Sequence, residues 1–149
     1  MKPLYVAATG QHVGKTTSTL GLVTNIVEHG YNVGYCKPVG QQHLYVEGQM
    51  IDKDVTLFSQ ILKFKIDGSL HSPVVMARGV TKKYIDDPSQ FRFRENIIHA
   101  SQQLKKQHDM VVYEGQGVIV RCHSGKTIWQ ATITLPNIGK VVFSFDVVY

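Results

Sequence analysis

Cysteine is scarce. The 149 residues hold two, Cys36 and Cys122, with no Cys-x-x-Cys and no zinc-ligand spacing. A disulfide framework and a finger-type metal site are therefore excluded, and reduced, buried thiols are expected. Long apolar runs are missing as well. None approaches the roughly 20 residues of a membrane span, so no membrane partner is expected. The opening Met1-Lys2-Pro3-Leu4 lacks the apolar stretch of a secretory signal; a cytoplasmic location is the expectation. Charge of one sign is never concentrated. Sixteen Lys and Arg against eleven Asp and Glu give a net +5, spread singly or in pairs such as Lys82-Lys83 and Lys105-Lys106. That scatter speaks against a nucleic-acid-binding stripe, while a polyanionic nucleotide uses positive charge equally well.

What is present is a globular composition, 43% hydrophobic and 18% charged. A chain of this length predicts one domain, residues 1–149, with a real core. The apolar run Leu4-Tyr5-Val6-Ala7-Ala8 reads as a buried strand. Helical spacing of Leu20, Leu22, Val23, Ile26 and Val27 predicts a helix over 16–29, closed by Gly30. A strand follows at 32–37 and ends at Pro38. Residues 40–50 read as a polar loop. Val55, Leu57, Phe58, Ile61 and Leu62 predict an amphipathic helix over 52–63, with Asp52 and Asp54 at its dipole-favoured start. Residues 68–81 read as irregular, with a short strand at 74–76. A further helix, capped by Ser89, runs to about residue 107 with Phe91, Ile97, Ile98 and Leu104 inward. Met110-Val111-Val112-Tyr113 is then a strand. Strands alternating with helices predict an α/β fold, with a mostly parallel sheet covered by helices on both faces.

Between the first strand and the first helix stands Thr9-Gly10-Gln11-His12-Val13-Gly14-Lys15-Thr16-Thr17. Strand, glycine loop, Gly-Lys-Thr and helix form the context of a phosphate-binding P-loop. Backbone N–H groups of Gly10, Gln11, His12, Val13 and Gly14, and those of Lys15, Thr16 and Thr17, would cradle phosphate oxygens. Lys15 would reach the outer phosphates and the Thr16 hydroxyl would sit on Mg²⁺. Thr9 stands where the usual spacing asks for glycine, so the motif is a shortened variant. Ser124-Gly125-Lys126-Thr127 has no glycine at the needed distance before it and is read as chance.

A P-loop also needs a strand-end carboxylate for Mg²⁺, and the C-terminal ends of parallel strands carry the site. Glu114, directly after the 110–113 strand, is the candidate; its plain alternative is a solvated strand-end acid. Asp54 is a second candidate ligand, or merely supports its helix N-terminus. Lys37, at the end of the second strand, can neutralise phosphate or a substrate carboxylate, or be an ordinary exposed lysine.

Taken together, the loop at 9–16, Lys37-Pro38-Val39, Asp54 and Val111-Val112-Tyr113-Glu114-Gly115 resemble dethiobiotin synthetase and its relatives. Those include the synthetase parts of cobyrinic acid amidases and the N-terminal P-loop domain of long phosphotransacetylases. The resemblance covers about residues 3–117. It implies a P-loop NTPase fold, ATP and Mg²⁺ as cofactors, and catalytic roles for Lys15 and Lys37. It also implies Thr16, Asp54 and Glu114 as metal ligands, and a homodimer. The implied reaction is ATP-dependent activation of a small carboxylate or carbamate, followed by attack of a nitrogen. The alternative it carries is a nucleotide-binding regulatory domain without turnover, like that attached to phosphotransacetylases. A partition-type ATPase switch is disfavoured, because Gly10 stands where its extra lysine would be.

This sequence departs from dethiobiotin synthetase at two places. His12 replaces the usual acid before Val-Gly-Lys-Thr, and Gly40-Gln41-Gln42 follows Lys-Pro-Val where a serine is usual. A glutamine there resembles the amidase and phosphotransacetylase-linked members; retention of Lys15 favours real nucleotide binding. After Glu114 the only acid is Asp146, and strand-like stretches at 118–120, 127–135 and 141–148 follow without an intervening helical pattern. The turn signal Pro136-Asn137-Ile138-Gly139 joins the last two. The expectation is an atypical segment, 118–149, truncated or altered relative to the family.

Overall fold

The computed structural model describes residues 3–8, 14–116, 128–135 and 139–146. It divides into two compact units, the first ending at residue 117 and the second beginning at 118.

In the first unit, β1 (Leu4–Ala8) leads to α1 (Lys15–Glu28), and Gly30, at φ 86°, takes the left-handed conformation that closes a helix. β2 (Val33–Cys36) follows, buried at every position. The chain then runs through β3 (Val39–Gly40), β4 (His43–Val46), β5 (Gln49–Asp52) and α2 (Lys53–Leu62). Next come α3 (Gly68–His71), β6 (Val74–Val75), α4 (Val80–Asp86), a 3₁₀ turn at Pro88–Gln90, α5 (Phe93–Gln107) and β7 (Met110–Gln116).

The central sheet has the order β1-β7-β2, all parallel, with β7 in the middle. A parallel strand buried on both faces must be apolar almost throughout, and Met110-Val111-Val112-Tyr113 is. Alternate side chains of β7 divide the molecule. Val111 and Tyr113 pack with Cys36, Leu104 of α5 and Leu70 of α3, and the Tyr113 hydroxyl is 2.7 Å from Ser101 Oγ of α5. On the other face, Tyr35 stacks on Phe58 of α2, and Glu114 meets Thr16 of α1. Helices therefore cover both faces, as the strand–helix alternation predicts. Cys36 is buried, as expected, and burial pushes its thiol up to about 12, which disfavours the nucleophilic thiolate.

Several local expectations are corrected. Residues 40–50 are no loop: β4 and β5 pair antiparallel, Val46 opposite Gln49. Glu47 and Gly48, at φ 48° and 77°, form the two-residue left-handed turn that matches strand twist. Residues 68–81 hold α3, the start of α4, and β6, which pairs parallel with β3. The last long helix starts at Phe93, not at Ser89. Asp87 caps the 3₁₀ turn instead, its Oδ1 accepting from the Ser89 N–H at 3.1 Å. Ile98 is 44% exposed, because Ala100 and Leu104 define the buried stripe and position 98 lies about 100° away from position 97 on the helix.

The second unit contains an antiparallel pair, β8 (Ile128–Leu135) and β9 (Gly139–Asp146), in register from Ile128 opposite Asp146 to Leu135 opposite Gly139. Two of the three strand-like stretches expected after Gly117 are thus strands. The stretch at 118–120 and the turn at 136–138 lie outside the described residues. Among the described residues no helix is long and apolar enough to cross a membrane.

Candidate functional site

Gly14 sits at φ 84°, ψ 13°, a left-handed conformation that costs a side-chain-bearing residue energy and glycine nothing. It ends the glycine loop and starts α1, and it has no side chain with which to cap the first N–H groups. Those groups are what a helix N-terminus offers to an anion. Lys15 and Thr16, both half-buried, and exposed Thr17 form the first turn. Gly10, Gln11, His12 and Val13 lie outside the described residues.

Thr16 reaches across to the sheet. Its hydroxyl donates to Glu114 Oε1 at 2.9 Å, joining residues 98 positions apart in sequence. Glu114 is not the solvated strand-end acid of the plain alternative; its side chain is fully buried. A buried carboxylate needs partners, and the second is the Tyr35 hydroxyl, which donates to Oε2 at 3.1 Å. Burial first, and then the charge of Glu114, holds the Tyr35 phenol far above its ordinary value, so it stays a donor. The Tyr35 ring is fixed against Phe58, with centroids 3.8 Å apart and planes within 8°.

Lys37 follows β2 directly. It shares strand parity with Tyr35, so both belong to the Glu114 face. It is not an exposed strand-end lysine: its side chain is only 14% exposed. Its ammonium donates to Asp54 Oδ2 and pairs with Asp52 Oδ1 at 3.3 Å. Burial would lower the Lys37 pKa. The hydrogen bond to Asp54 and the charges of Asp52, Asp54 and Glu114 together outweigh it, and the net shift is upward. Lys37 therefore remains an ammonium.

Asp52 builds this corner. It caps α2, with Oδ1 accepting from the Asp54 N–H at 3.0 Å. Oδ2 accepts from the N–H groups of Gln41 (3.0 Å) and Gln42 (3.3 Å), which ties down the loop after Lys37-Pro38-Val39. Its own N–H donates to Ser72 Oγ at 3.0 Å. The carboxylate fits because residue 40 is glycine: a Cβ there would lie 2.6 Å from both Asp52 Cβ and Oδ2. Gly40→Ala is accordingly expected to push Asp52 aside and cost about 1–3 kcal/mol of stability. Urea unfolding reads this, and an unchanged midpoint would mean the carboxylate yields without penalty.

Lys15, Thr16 and Asp54 thus lie at the starts of α1 and α2 and Lys37 directly after β2, whereas Glu114 lies within β7, which runs on to Gln116 instead of ending at Tyr113. Sequence reasoning missed Asp52 and Tyr35 as site residues. Asp52 was legible only as dipole support, although Asp-x-Asp at a helix start also fits a capping carboxylate. Tyr35 carried a signal in its two-residue spacing from Lys37.

Do these residues suit a divalent cation? Among the described residues no group of three or more His, Cys, Asp or Glu side chains is arranged to hold a metal. A Mg²⁺ site beside a nucleotide does not need one, since a hydroxyl, one or two carboxylates, water and phosphate oxygens suffice. The donors here are all hard oxygens. Asp52, Asp54 and Glu114 bring three carboxyl groups around Lys37. Donor type suits Mg²⁺.

Comparison with known proteins agrees with the motif resemblance. Residues 2–135 match a family described as an AAA domain. The chain is 27% identical over 124 residues to the ATP-dependent dethiobiotin synthetase BioD of Clostridium kluyveri, covering 80% of this chain and 50% of that protein. The BioD of Caldicellulosiruptor saccharolyticus is 27% identical over 118 residues, 78% of this chain and 49% of that one. The phosphate acetyltransferase of Nitrosomonas europaea is 27% identical over 115 residues, 77% of this chain and 15% of that protein. The chain spans about half the length of the dethiobiotin synthetases it matches. The family match runs to residue 135, past the point at 117 where the motifs stop.

Proposed function

Because the chain belongs to the AAA domain family, we propose that it binds ATP with Mg²⁺ through the loop at 10–17 and uses it to activate a small carboxylate. The observation that carries this reading is the Thr16–Glu114 hydrogen bond, which brings the P-loop threonine onto the buried acid of β7. Thr16, Asp54 and Glu114 would hold the cation, which when bound offsets charge on the phosphate oxygens.

The first-turn N–H groups of α1 bind and orient the phosphates. Lys15 supplies a positive charge at their outer end. Lys37, held as an ammonium, draws the acceptor carboxylate beside the γ-phosphate and lowers the repulsion between the two anions. In the transfer, a carboxylate oxygen forms a bond to the γ-phosphorus as the bond to the β–γ bridging oxygen breaks, giving ADP and an acyl phosphate. Attack of an amine on the acyl carbon then expels inorganic phosphate. Positioning and charge neutralisation account for the catalysis. The acceptor is a carboxylate or carbamate; a homodimer completes the reading.

The likeness to phosphate acetyltransferase supports a second reading, a nucleotide-binding regulatory domain without turnover. Calorimetry of ATP with Mg²⁺ tests the shared part. Wild-type binding is expected, with Lys15→Ala weakening it by about 10- to 100-fold, the value of a charged hydrogen bond to phosphate. Equal affinity in both chains would remove the P-loop reading. Phosphate release dependent on a carboxylate then separates enzyme from regulatory domain.

A further inference from the structure

We infer that Tyr35 sets the metal preference of this site by making Glu114 a one-oxygen ligand. The inference rests on the reading that Glu114 faces a divalent cation. Both oxygens of Glu114 have hydroxyl partners, but the two partners differ in kind. Oε1 meets Thr16, on the first turn after the glycine loop, where the phosphates and the cation belong. Oε2 meets Tyr35, on the neighbouring strand β2.

Tyr35 is a rigid partner. It is fully buried, its backbone is paired in the central sheet opposite Val112, and its ring lies flat on Phe58. Its hydroxyl can neither turn to solvent nor follow a rotating carboxylate. Swinging Glu114 so that both oxygens face one cation would leave the buried phenol without an acceptor, a loss that burial makes costly. Oε1 alone is therefore on offer.

That constraint discriminates between cations. Ca²⁺ takes six to eight oxygens and uses carboxylates readily through both oxygens, whereas Mg²⁺ demands a small octahedral shell and takes one oxygen per carboxylate. A carboxylate locked to one oxygen favours Mg²⁺. The Tyr35 hydroxyl is bonded to Glu114, so in this reading it is a positioning residue that acts through Glu114.

The test is the calorimetric affinity of ATP with saturating Mg²⁺ and with saturating Ca²⁺, in wild type and in Tyr35→Phe. The variant keeps the ring on Phe58 and removes only the hydroxyl. Wild type is expected to bind ATP more tightly with Mg²⁺. The ratio of the two dissociation constants is expected to move toward Ca²⁺ by about tenfold in Tyr35→Phe, the lower end of what outer-sphere partners contribute to metal affinity. A wild-type Mg²⁺ preference that Tyr35→Phe leaves intact overturns the role of Tyr35 while leaving the proposed function standing. Absence of metal-dependent ATP binding in wild type overturns both. Infrared difference spectra of the wild-type chain with Mg²⁺ and ATP serve if the variant fails to fold. The carboxylate bands lost in Glu114→Gln should show the splitting of a one-oxygen ligand, and two-oxygen splitting refutes the inference.

Discussion

Lys37→Ala is expected to cost about 3 kcal/mol of folding stability, well above what a surface ion pair contributes. The reason is what it leaves behind. Asp52 is 1% exposed and Lys37 14%, so their attraction is little screened, and loss of the ammonium strands a buried carboxylate. Asp52 keeps its three backbone N–H donors, from Gln41, Gln42 and Asp54. Those bonds hold the effect near the low end of the 3–5 kcal/mol seen when one partner of a buried pair is removed. A double-mutant cycle isolates the charge. Asp52→Asn keeps a capping side chain, so Lys37→Ala should cost far less in the Asp52→Asn background than in wild type. Urea unfolding of the four chains measures this. Equal costs in the two backgrounds would show that the pair is screened as at a surface, and the description of a buried clamp would fall.

Phe58→Ala is expected to be the larger loss, about 3–5 kcal/mol, the range for emptying a phenylalanine site in a packed core. Phe58 is fully buried on α2 and is the flat platform under Tyr35. Its removal takes away apolar contact and the stacking partner together, and leaves a void beside a buried hydroxyl. Phe58→Leu refills most of the volume without the ring and should cost less than half as much. If both substitutions cost under about 1 kcal/mol by urea unfolding, Phe58 is not the packed platform under Tyr35. Stability and site are linked here: the same ring that fills the core fixes the phenol bonded to Glu114.

The elements that sequence alone made legible share a property. Their signal lies within a few consecutive residues. Val111-Val112 reads as a doubly buried strand, and Gly14 and Gly30 mark the ends of α1. Of the five apolar positions that mark α2 as amphipathic, Val55 and Phe58 are buried, while Leu57 and Ile61 are exposed. Gly-Lys-Thr after a strand places Lys15 and Thr16, and the end of an apolar strand places Lys37, while Glu114 lies within β7. The misreadings are of another kind. The hairpin of β4 and β5 carries little local signal, because Glu-Gly is a weak turn signal and His43-Leu44-Tyr45-Val46 alternates without a strongly apolar face. Periodicity alone points Ile98 inward, because it gives a stripe but not the angle at which that stripe meets the sheet.

By itself, then, the sequence determined the order of β1, α1, β2, α2, α5 and β7 and the polar residues on those elements, because local steric and hydrophobic periodicity specify those. Which groups touch was decided only by the tertiary structure. Glu114 pairs with Thr16 and Tyr35, and Lys37 lodges between Asp52 and Asp54 against a glycine that leaves room for the carboxylate. These contacts join residues up to 98 positions apart. Their strength comes from removal of water, which no local pattern of residues encodes.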